Sequence, residues 1–462
     1  MDTKPQPFVP PHPIPRTTPP SVIELIRTVV RNPVEIWGEN CYTKPHVTAT
    51  FMGERTLVAN HPELVRHVLV DNPANFRMAR MRQLILRPIL RDGLISAEGE
   101  VWRRTRKVIA PVFTPRHIKG FADMMHSRIG EFLERYRTST GEVHDISIDM
   151  TDLTYEVLSV TLFSDEIASD GFDFANDVNR LLSTMGRVDP MDMLKAPGWV
   201  PRFQRLRGRK VLRKFDGVVD DTIEMRRRKM AENPDAVNDD FLTLLLQREG
   251  PDGLSAQEIA DNLITFIGAG HETTARALGW TLYLLANSPH DRALIEEEID
   301  RVLAGNPPPV EWLELMPKTR AAFEEAMRLY PPAPSLNREA IEAETFTFKD
   351  GTVLEIEEGT TTLVIPWVLH RHREYWDNPD GFVPARFWPE NRDRIGRFQY
   401  LPFGIGPRIC VGATFSMQEG VIALAMLMRE FRFEATPGLE PRPIQKLTMQ
   451  AEHGLPMRVI SR

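Results

Sequence analysis

Cysteine is nearly missing from this 462-residue chain, which has two, and so is any apolar run long enough to cross a membrane. Cys41 and Cys410 stand far apart, so there is no disulfide framework, and a reducing compartment, the cytoplasm, is expected. The cleanest apolar stretch, 421–428, falls far short of the ~18 residues a membrane span needs. Positive charge is not in excess either: the net charge of −7 excludes nucleic-acid binding by overall field. Basic runs at 202–214 and 226–229 carry no interleaved aromatics and read as solvated helix faces. The first twenty residues lack the charged-then-apolar order of a signal peptide and hold eight prolines instead. They read as an extended arm, 1–20, or as an ordered strand laid over the body, ahead of a single domain over 21–462.

What is there is an ordinary globular composition, 42% hydrophobic and 26% charged, with ample material for a core. Length alone suggests about three domains of roughly 150 residues each. Ser21-Val22-Ile23-Glu24 has the form of a capping box opening a helix that stops at Asn32-Pro33. The chain from His46 to Ala59 alternates around Met52-Gly53 as two strands joined by a turn, and His61-Pro62-Glu63 opens another helix. The interval 76–99 mixes Met78, Met81, Leu84 and Ile85 with Arg77, Arg80, Arg82 and Arg87 and follows no single period. Each of those arginines reads as solvated. From 121 to 247 the pattern is helical, with breaks at Gly141, Gly171, Pro190, Pro197-Gly198 and Pro201. The stretch from Thr345 to Ile356 alternates around Asp350-Gly351 as a hairpin with a type I′ turn, and 360–369 reads as another strand. Sheet is the minority element.

Two stretches carry chemistry. The first is Phe403-Gly404-Ile405-Gly406-Pro407-Arg408-Ile409-Cys410-Val411-Gly412, followed by an apolar run, 413–429, that reads as a helix. It places Cys410 at a helix N-terminus, where free N–H groups and the helix dipole favour an anion, so the sulfur is expected as thiolate, the form that binds metal. The glycines suit a backbone that turns tightly against something flat, and Arg408 supplies a cation nearby. The second stretch is the middle of a helix that starts at a capping box, Ser255-Ala256-Gln257-Glu258, and continues to 288–289, a length of roughly 50 Å. Gly268 and Gly270 each cost up to about 1 kcal/mol there, which points to a ligand approaching the backbone. The hydroxyl of Thr273 can take the carbonyl four residues back and locally open the helix. His271-Glu272 begins the zinc pattern H-E-x-x-H, but Ala275 stands where the second histidine is needed, which excludes that site.

Phe403, Gly406, Arg408, Cys410 and Gly412 spell F-x-x-G-x-R-x-C-x-G, and through them the chain resembles the cytochrome P-450 superfamily of haem-thiolate monooxygenases. Ala269-Gly270-His271-Glu272-Thr273-Thr274 matches that family's oxygen-activating motif, Trp102 and Arg106 its W-x-x-x-R, and Glu325 and Arg328 its E-x-x-R. Pro384-Ala385-Arg386-Phe387 matches P-E-R-F with alanine in place of glutamate. These motifs stand in the family's order along nearly the whole chain, and the resemblance implies one mainly helical P-450 fold with a minor β lobe.

The resemblance also implies the site. Haem b would be held with Cys410 as axial thiolate, with Trp102, Arg106 and Arg338 on the propionates and Phe403, Arg408, Ala269 and Gly270 as further cofactor contacts. Glu272 and Thr273 would deliver protons during oxygen activation, and Glu325, Arg328 and Arg386 would form a buried structural network. His370 and His372 could suggest a metal, but the family has a histidine-arginine pair at this place without one. The implied reaction inserts one atom of O₂ into an apolar organic substrate and reduces the other to water. The implied electron donor is an external ferredoxin or flavodoxin with an NAD(P)H-dependent reductase, serving a monomer. Residues 411–462 leave room for a helix and closing strands and none for a flavin domain. Arg103, Arg104 and Lys107, on other faces of the helix carrying Trp102, form a basic patch where an acidic partner would dock. Two alternatives stay open: a peroxide-driven haem-thiolate enzyme, against which Glu272-Thr273 argues, and a non-catalytic haem sensor, which needs no proton relay.

Overall fold

One buried helix of 31 residues, Ala256–Ala286, has elements packed around it for most of its length. The computed structural model of the chain describes residues 6–51, 53–167, 189–193, 196, 199–200 and 202–462. Among them, ten helices reach ten residues or more: α1 Val22–Arg31, α2 Arg80–Leu90, α3 Gly99–Ile109, α4 Ala122–Thr138, α5 Ile146–Phe163, α6 Phe203–Glu232, α7 Ala256–Ala286, α8 Pro289–Leu303, α9 Pro317–Leu329 and α10 Ala413–Glu430. At α7 both halves of the capping box form: Ser255 Oγ accepts from Glu258 N at 3.2 Å, and the Glu258 carboxylate accepts from Ser255 N at 2.9 Å. Apolar residues on every face of α7, among them Ile259, Leu263, Leu278 and Leu282, bury it against α5, α8, α9 and α10. Rising ~1.5 Å per residue, it extends ~46 Å through the core.

Sheet is minor, as the alternating stretches suggest. β1 His46–Phe51, β2 Glu54–Ala59, β3 Phe76–Met78, β5 Leu336–Ala340 and β8 Thr361–Val364 form one sheet in the order β1-β2-β8-β5-β3. Its register sets Arg338 of β5 opposite Met78 of β3 and Thr362 of β8, so Arg338 is held from both sides. β4 Val143–Asp145, β12 Pro456–Ser461 and β9 Phe431–Ala435 form a second sheet, and β6 Glu344–Thr347 with β7 Val353–Ile356, and β10 Pro443–Gln445 with β11 Met449–Ala451, form two small pairs.

Several local expectations need correction. In the β6–β7 hairpin Gly351 N donates to Phe348 O at 2.9 Å, and only Gly351, with φ 88°, lies in the left-handed region. Asp350 does not, so the loop is a type I turn followed by a glycine bulge, the three-residue alternative to type I′. Ser21 caps α1 through its hydroxyl, but the Glu24 carboxylate turns to Arg16 at 2.6 Å, so only half of that capping box forms. The strand expected over 360–369 ends at Val364, and Pro366–Leu369 is a short helix, as a proline at a first helical turn allows. Gly171, Pro197, Gly198 and Pro201 lie outside the described residues, as does Met52 of the first turn. Residues 6–20 lie along the body with no regular strand: Phe8 O accepts from Phe382 N at 2.8 Å and Pro11 O from the Tyr330 hydroxyl at 2.7 Å.

The wall that carries the cysteine loop is braced by buried charge. Arg328 and Glu325, three apart on α9, are both fully enclosed and pair through two hydrogen bonds of 2.7 and 2.8 Å. The remaining guanidinium hydrogens reach the carbonyls of His370, Pro379 and Gly381 at 2.7, 2.6 and 2.9 Å. Arg386 stands 3.5 Å from Glu325 as the third member and donates to Asn378 O at 2.8 Å. Among the described residues no group of three or more His, Cys, Asp or Glu side chains is placed to hold a metal ion. Burial instead pushes the His370 pKa down to about 3, so the ring stays neutral and its Nε2 accepts from Leu401 N at 2.8 Å. Since a buried arginine without its carboxylate is far costlier than the pair, Glu325→Ala is expected to destabilise the protein by about 3–5 kcal/mol, read as loss of soluble yield and of resistance to urea. A variant as stable as the parent would show that the pair is dispensable.

Candidate functional site

The loop between β8 and α10 is shaped by its own hydrogen bonds before any side chain is considered. Gly404 N donates to Leu401 O at 3.1 Å, Ile409 N to Gly406 O at 3.1 Å, and Cys410 N to Phe403 O at 2.9 Å, closing a compact turn. Gly406 is required in it twice over, by a φ of 80° and because a Cβ there would lie 2.0 Å from Leu69 O. The turn presents Cys410 to an internal cavity that also receives Trp102 and Arg106 from α3, Ala269, Gly270 and Thr273 from α7, Arg338 from β5, and Phe403 and Arg408 from the loop itself. Residues spread over more than three hundred positions thus meet at one sulfur.

The sulfur is not held as expected. Helix α10 starts only at Ala413, with Gly412 as its N-cap, so Cys410 lies outside the first turn where the helix dipole is strongest. Cys410 is accessible on the side of the cavity and enclosed elsewhere, and burial raises its thiol pKa against the opposing pulls of the Gly412 N–H and the Arg106 charge. A metal that takes a thiol as ligand deprotonates it, so coordination at this sulfur would release a proton.

Cations surround the sulfur. Arg106 donates to Ile409 O at 2.7 Å. Arg408 donates to Ala97 O at 2.9 Å, pairs with Glu98 at 2.8 Å, and lies over the Trp102 ring at 4.5 Å. Arg338 donates to Asn337 O at 3.1 Å, and burial, together with the charges of Arg408 and Arg82, lowers its pKa to about 10. Such donors are the chemistry that binds carboxylates. Around them the lining is apolar, including Met78, Leu158, Leu162, Phe113, Phe241 and Phe266. A flat, mostly apolar macrocycle with a metal at its centre and carboxylates at its edge fits that set of residues.

On α7 the helix runs unbroken past Gly268 and Gly270, contrary to the local opening expected from Thr273. Thr273 Oγ1 does donate to Ala269 O at 2.8 Å, but without displacing the helix. Gly270 serves close packing, because a Cβ there would meet Leu158 Cδ1 of α5 at 3.1 Å. Glu272 is buried and not on the cavity wall. Its Oε1 accepts from Thr448 Oγ1 at 2.8 Å and Gln450 Nε2 at 2.6 Å and lies 3.4 Å from Arg276. His271 faces neither a metal nor the cavity, since its Nδ1 lies 2.6 Å from Ile267 O in the core. Sequence reasoning missed Thr448 and Gln450, Thr274 and its 3.0 Å bond to Ser416, and Arg82, which lines the cavity. For Arg82 the only signal was an arginine inside a stretch of mixed period.

Comparison with known proteins agrees with this geometry. The family model described as Cytochrome P450 matches residues 28–458. Pentalenene oxygenase of Streptomyces avermitilis is 30% identical over 406 residues, covering 87% of this chain and 87% of that protein. Cyclooctat-9-en-7-ol 5-monooxygenase of Streptomyces melanosporofaciens is 32% identical over 397 residues, covering 83% of this chain and 81% of that protein. A solved cytochrome P450, CYP102L1, is 27% identical with a TM-score of 0.79, covering 99% of this chain and 100% of that one. With motif order, helical fold, cysteine loop and family match all in agreement, the chain belongs to the cytochrome P450 family and is a P450 monooxygenase.

Proposed function

We propose that this enzyme binds haem b through Cys410 and inserts one atom of O₂ into an apolar organic substrate, with electrons from a separate ferredoxin or flavodoxin served by an NAD(P)H-dependent reductase. The observation that carries the reading is the convergence on one apolar cavity of a single cysteine, four guanidinium groups and Thr273. The balance is substrate plus O₂, two electrons and two protons giving hydroxylated substrate plus water. Haem, when bound, would supply the redox chemistry, with Cys410 as the residue that would hold and tune it.

The chain supplies the rest. Cys410 gives up its proton on ligation, and the Gly412 N–H and Arg106 stabilise the resulting charge. Arg106, Arg338 and Trp102 offer donors to the propionates, while Arg408, already paired with Glu98, fixes the Trp102 ring from above. Ala269 and Gly270 leave α7 low enough for a ring face to approach. The apolar walls exclude water, which strengthens each charge interaction inside. Thr273 is the hydroxyl at the reacting space, and Glu272 stands behind it, bonded to Gln450 at the partly exposed β11 segment. Protons therefore enter from the β11 side, pass Glu272 and reach Thr273, with a carboxylate rotation at the step into the cavity.

For the electron donor, α3 is the meeting face, though the patch is thinner than expected. Arg103, Arg104 and Lys107 are all exposed, but Arg104 is bonded to Glu258 and Arg103 lies 2.9 Å from Glu100, which leaves Lys107 as the unpaired cation of the three among the described residues.

Three results test the proposal. Cys410→Ser should keep most of the fold and lose the thiolate-specific absorbance of the reduced carbon-monoxide complex; a surviving band would displace Cys410 as ligand. Thr273→Ala should leave haem and substrate binding intact while product per NAD(P)H consumed drops several-fold and peroxide rises, and unchanged coupling would remove Thr273 from the relay. Reversing Arg103 and Lys107 to glutamate should slow ferredoxin reduction at low salt and flatten its salt dependence, as rim charges act on association rate. Equal stopped-flow rates for variant and parent would move the docking face elsewhere.

A further inference from the structure

Four guanidinium groups line the cavity: Arg82, Arg106, Arg338 and Arg408. Among the described residues only Arg408 has a carboxylate within the 4.0 Å of an ion pair, that of Glu98. Among the described residues the other three are positive charges without a counterion. Resting on the haem reading above, two propionates answer two of the three charges, and Arg106 and Arg338 are the arginines that reading assigns to them. One cation remains.

Arg82 is not the solvated arginine its sequence context suggests. Its neighbours on and before α2 are accounted for differently: Arg77 pairs with Glu339, Arg87 lies 3.0 Å from Asp92, and Arg80 is exposed. Arg82 instead turns inward and spans to the loop after α9, where Nη1 donates to Ser335 O at 3.1 Å. Among the described residues Nε and Nη2 have no acceptor, so the edge of the guanidinium that binds a carboxylate with two parallel hydrogen bonds is left to the cavity. Burial lowers its pKa, the mark of a charge that lacks solvent as well as a partner. Hydrocarbon side chains share the cavity wall with it and Thr273, among them Met78, Leu158, Leu162 and Leu336.

We propose that Arg82 binds the carboxylate of an amphiphilic substrate, a long-chain apolar acid, whose body lies along those side chains with its distal carbons toward Thr273 and Cys410. The anion completes the charge of the cavity, and the distance from Arg82 determines which carbon is presented. Arg82 is a specificity residue; it takes no part in oxygen chemistry.

The test uses purified holoenzyme titrated with dodecanoate and with dodecan-1-ol, chains of equal length that differ at the end, followed by the haem spectral shift. A charge-assisted hydrogen-bonded pair corresponds to about 10–100-fold in affinity, so the parent should prefer dodecanoate by that factor. Arg82→Leu should abolish the preference by weakening dodecanoate about 10-fold or more while dodecan-1-ol changes little, and Arg82→Lys should keep part of it. Haem content and the reduced carbon-monoxide band of Arg82→Leu should match the parent. Loss of haem in that variant would show that Arg82 holds a propionate, and it would overturn the proposal. Equal affinity of the parent for the two ligands, or no binding of dodecanoate, would also overturn it. The parent's own carbon-monoxide spectrum reports separately on the haem-thiolate reading.

Discussion

Arg328 ties α9 to the segment that leads to the cysteine loop. One guanidinium holds Glu325 on its own helix and the carbonyls of His370, Pro379 and Gly381 on a long irregular segment. That segment has little regular structure to fix it, so its backbone acceptors need a rigid donor, and a planar fork supplies several at fixed angles. The effect continues toward the site, because neutral His370 accepts from Leu401, two residues before Phe403. The position of the cysteine loop thus depends on a charge pair on α9. Burial of that pair is costly on its own, which is why both members and all the carbonyls must be present together.

The same constraint acts in the cavity with the opposite outcome. Arg328 has its carboxylate in Glu325, whereas among the described residues three of the guanidinium groups that line the cavity with Cys410 have none. A low-dielectric site lined by unanswered cations is poised for anions, and the buried thiol of Cys410 is the first of them once it loses its proton. Arg106 and Cys410 then stabilise one another, since each is shifted by the other's charge.

What was legible in the sequence was what depends on short range. The capping box at Ser255, the breaks at Asn32-Pro33 and the four-residue spacing of Trp102 and Arg106 rest on local geometry, and the structure shows each of them. The hairpin at Asp350-Gly351 shows the limit: the glycine was legible, but whether one or two residues adopt positive φ is decided by strand register. Cys410 lies on the loop that the sequence marks but ahead of the first turn of α10, and the burial that opposes the helix field at its sulfur comes from walls distant in sequence. Glu272 was legible as an acid in an apolar helix, and its partners Thr448 and Gln450 were not, since no period links α7 to β11. Arg82 was hidden for the same reason. Nothing in its neighbours distinguishes an arginine turned to the cavity from one turned to water.

That distinction carries chemical weight. An arginine on a helix surface contributes little, because water screens it and its long side chain is entropically costly to order. The same group at a cavity wall, with its flat edge free and hydrocarbon on both sides, discriminates between ligands that differ by one charge, because a neutral ligand leaves the cation unanswered where water is scarce. Apolar walls alone distinguish substrates weakly, about a factor of ten or so per methylene, so a fold that relied on them would accept many shapes. One unanswered cation set back from the reacting centre turns such a cavity into a measuring device, in which the charge holds one end of a substrate and the rigid α7 backbone sets the distance to the other.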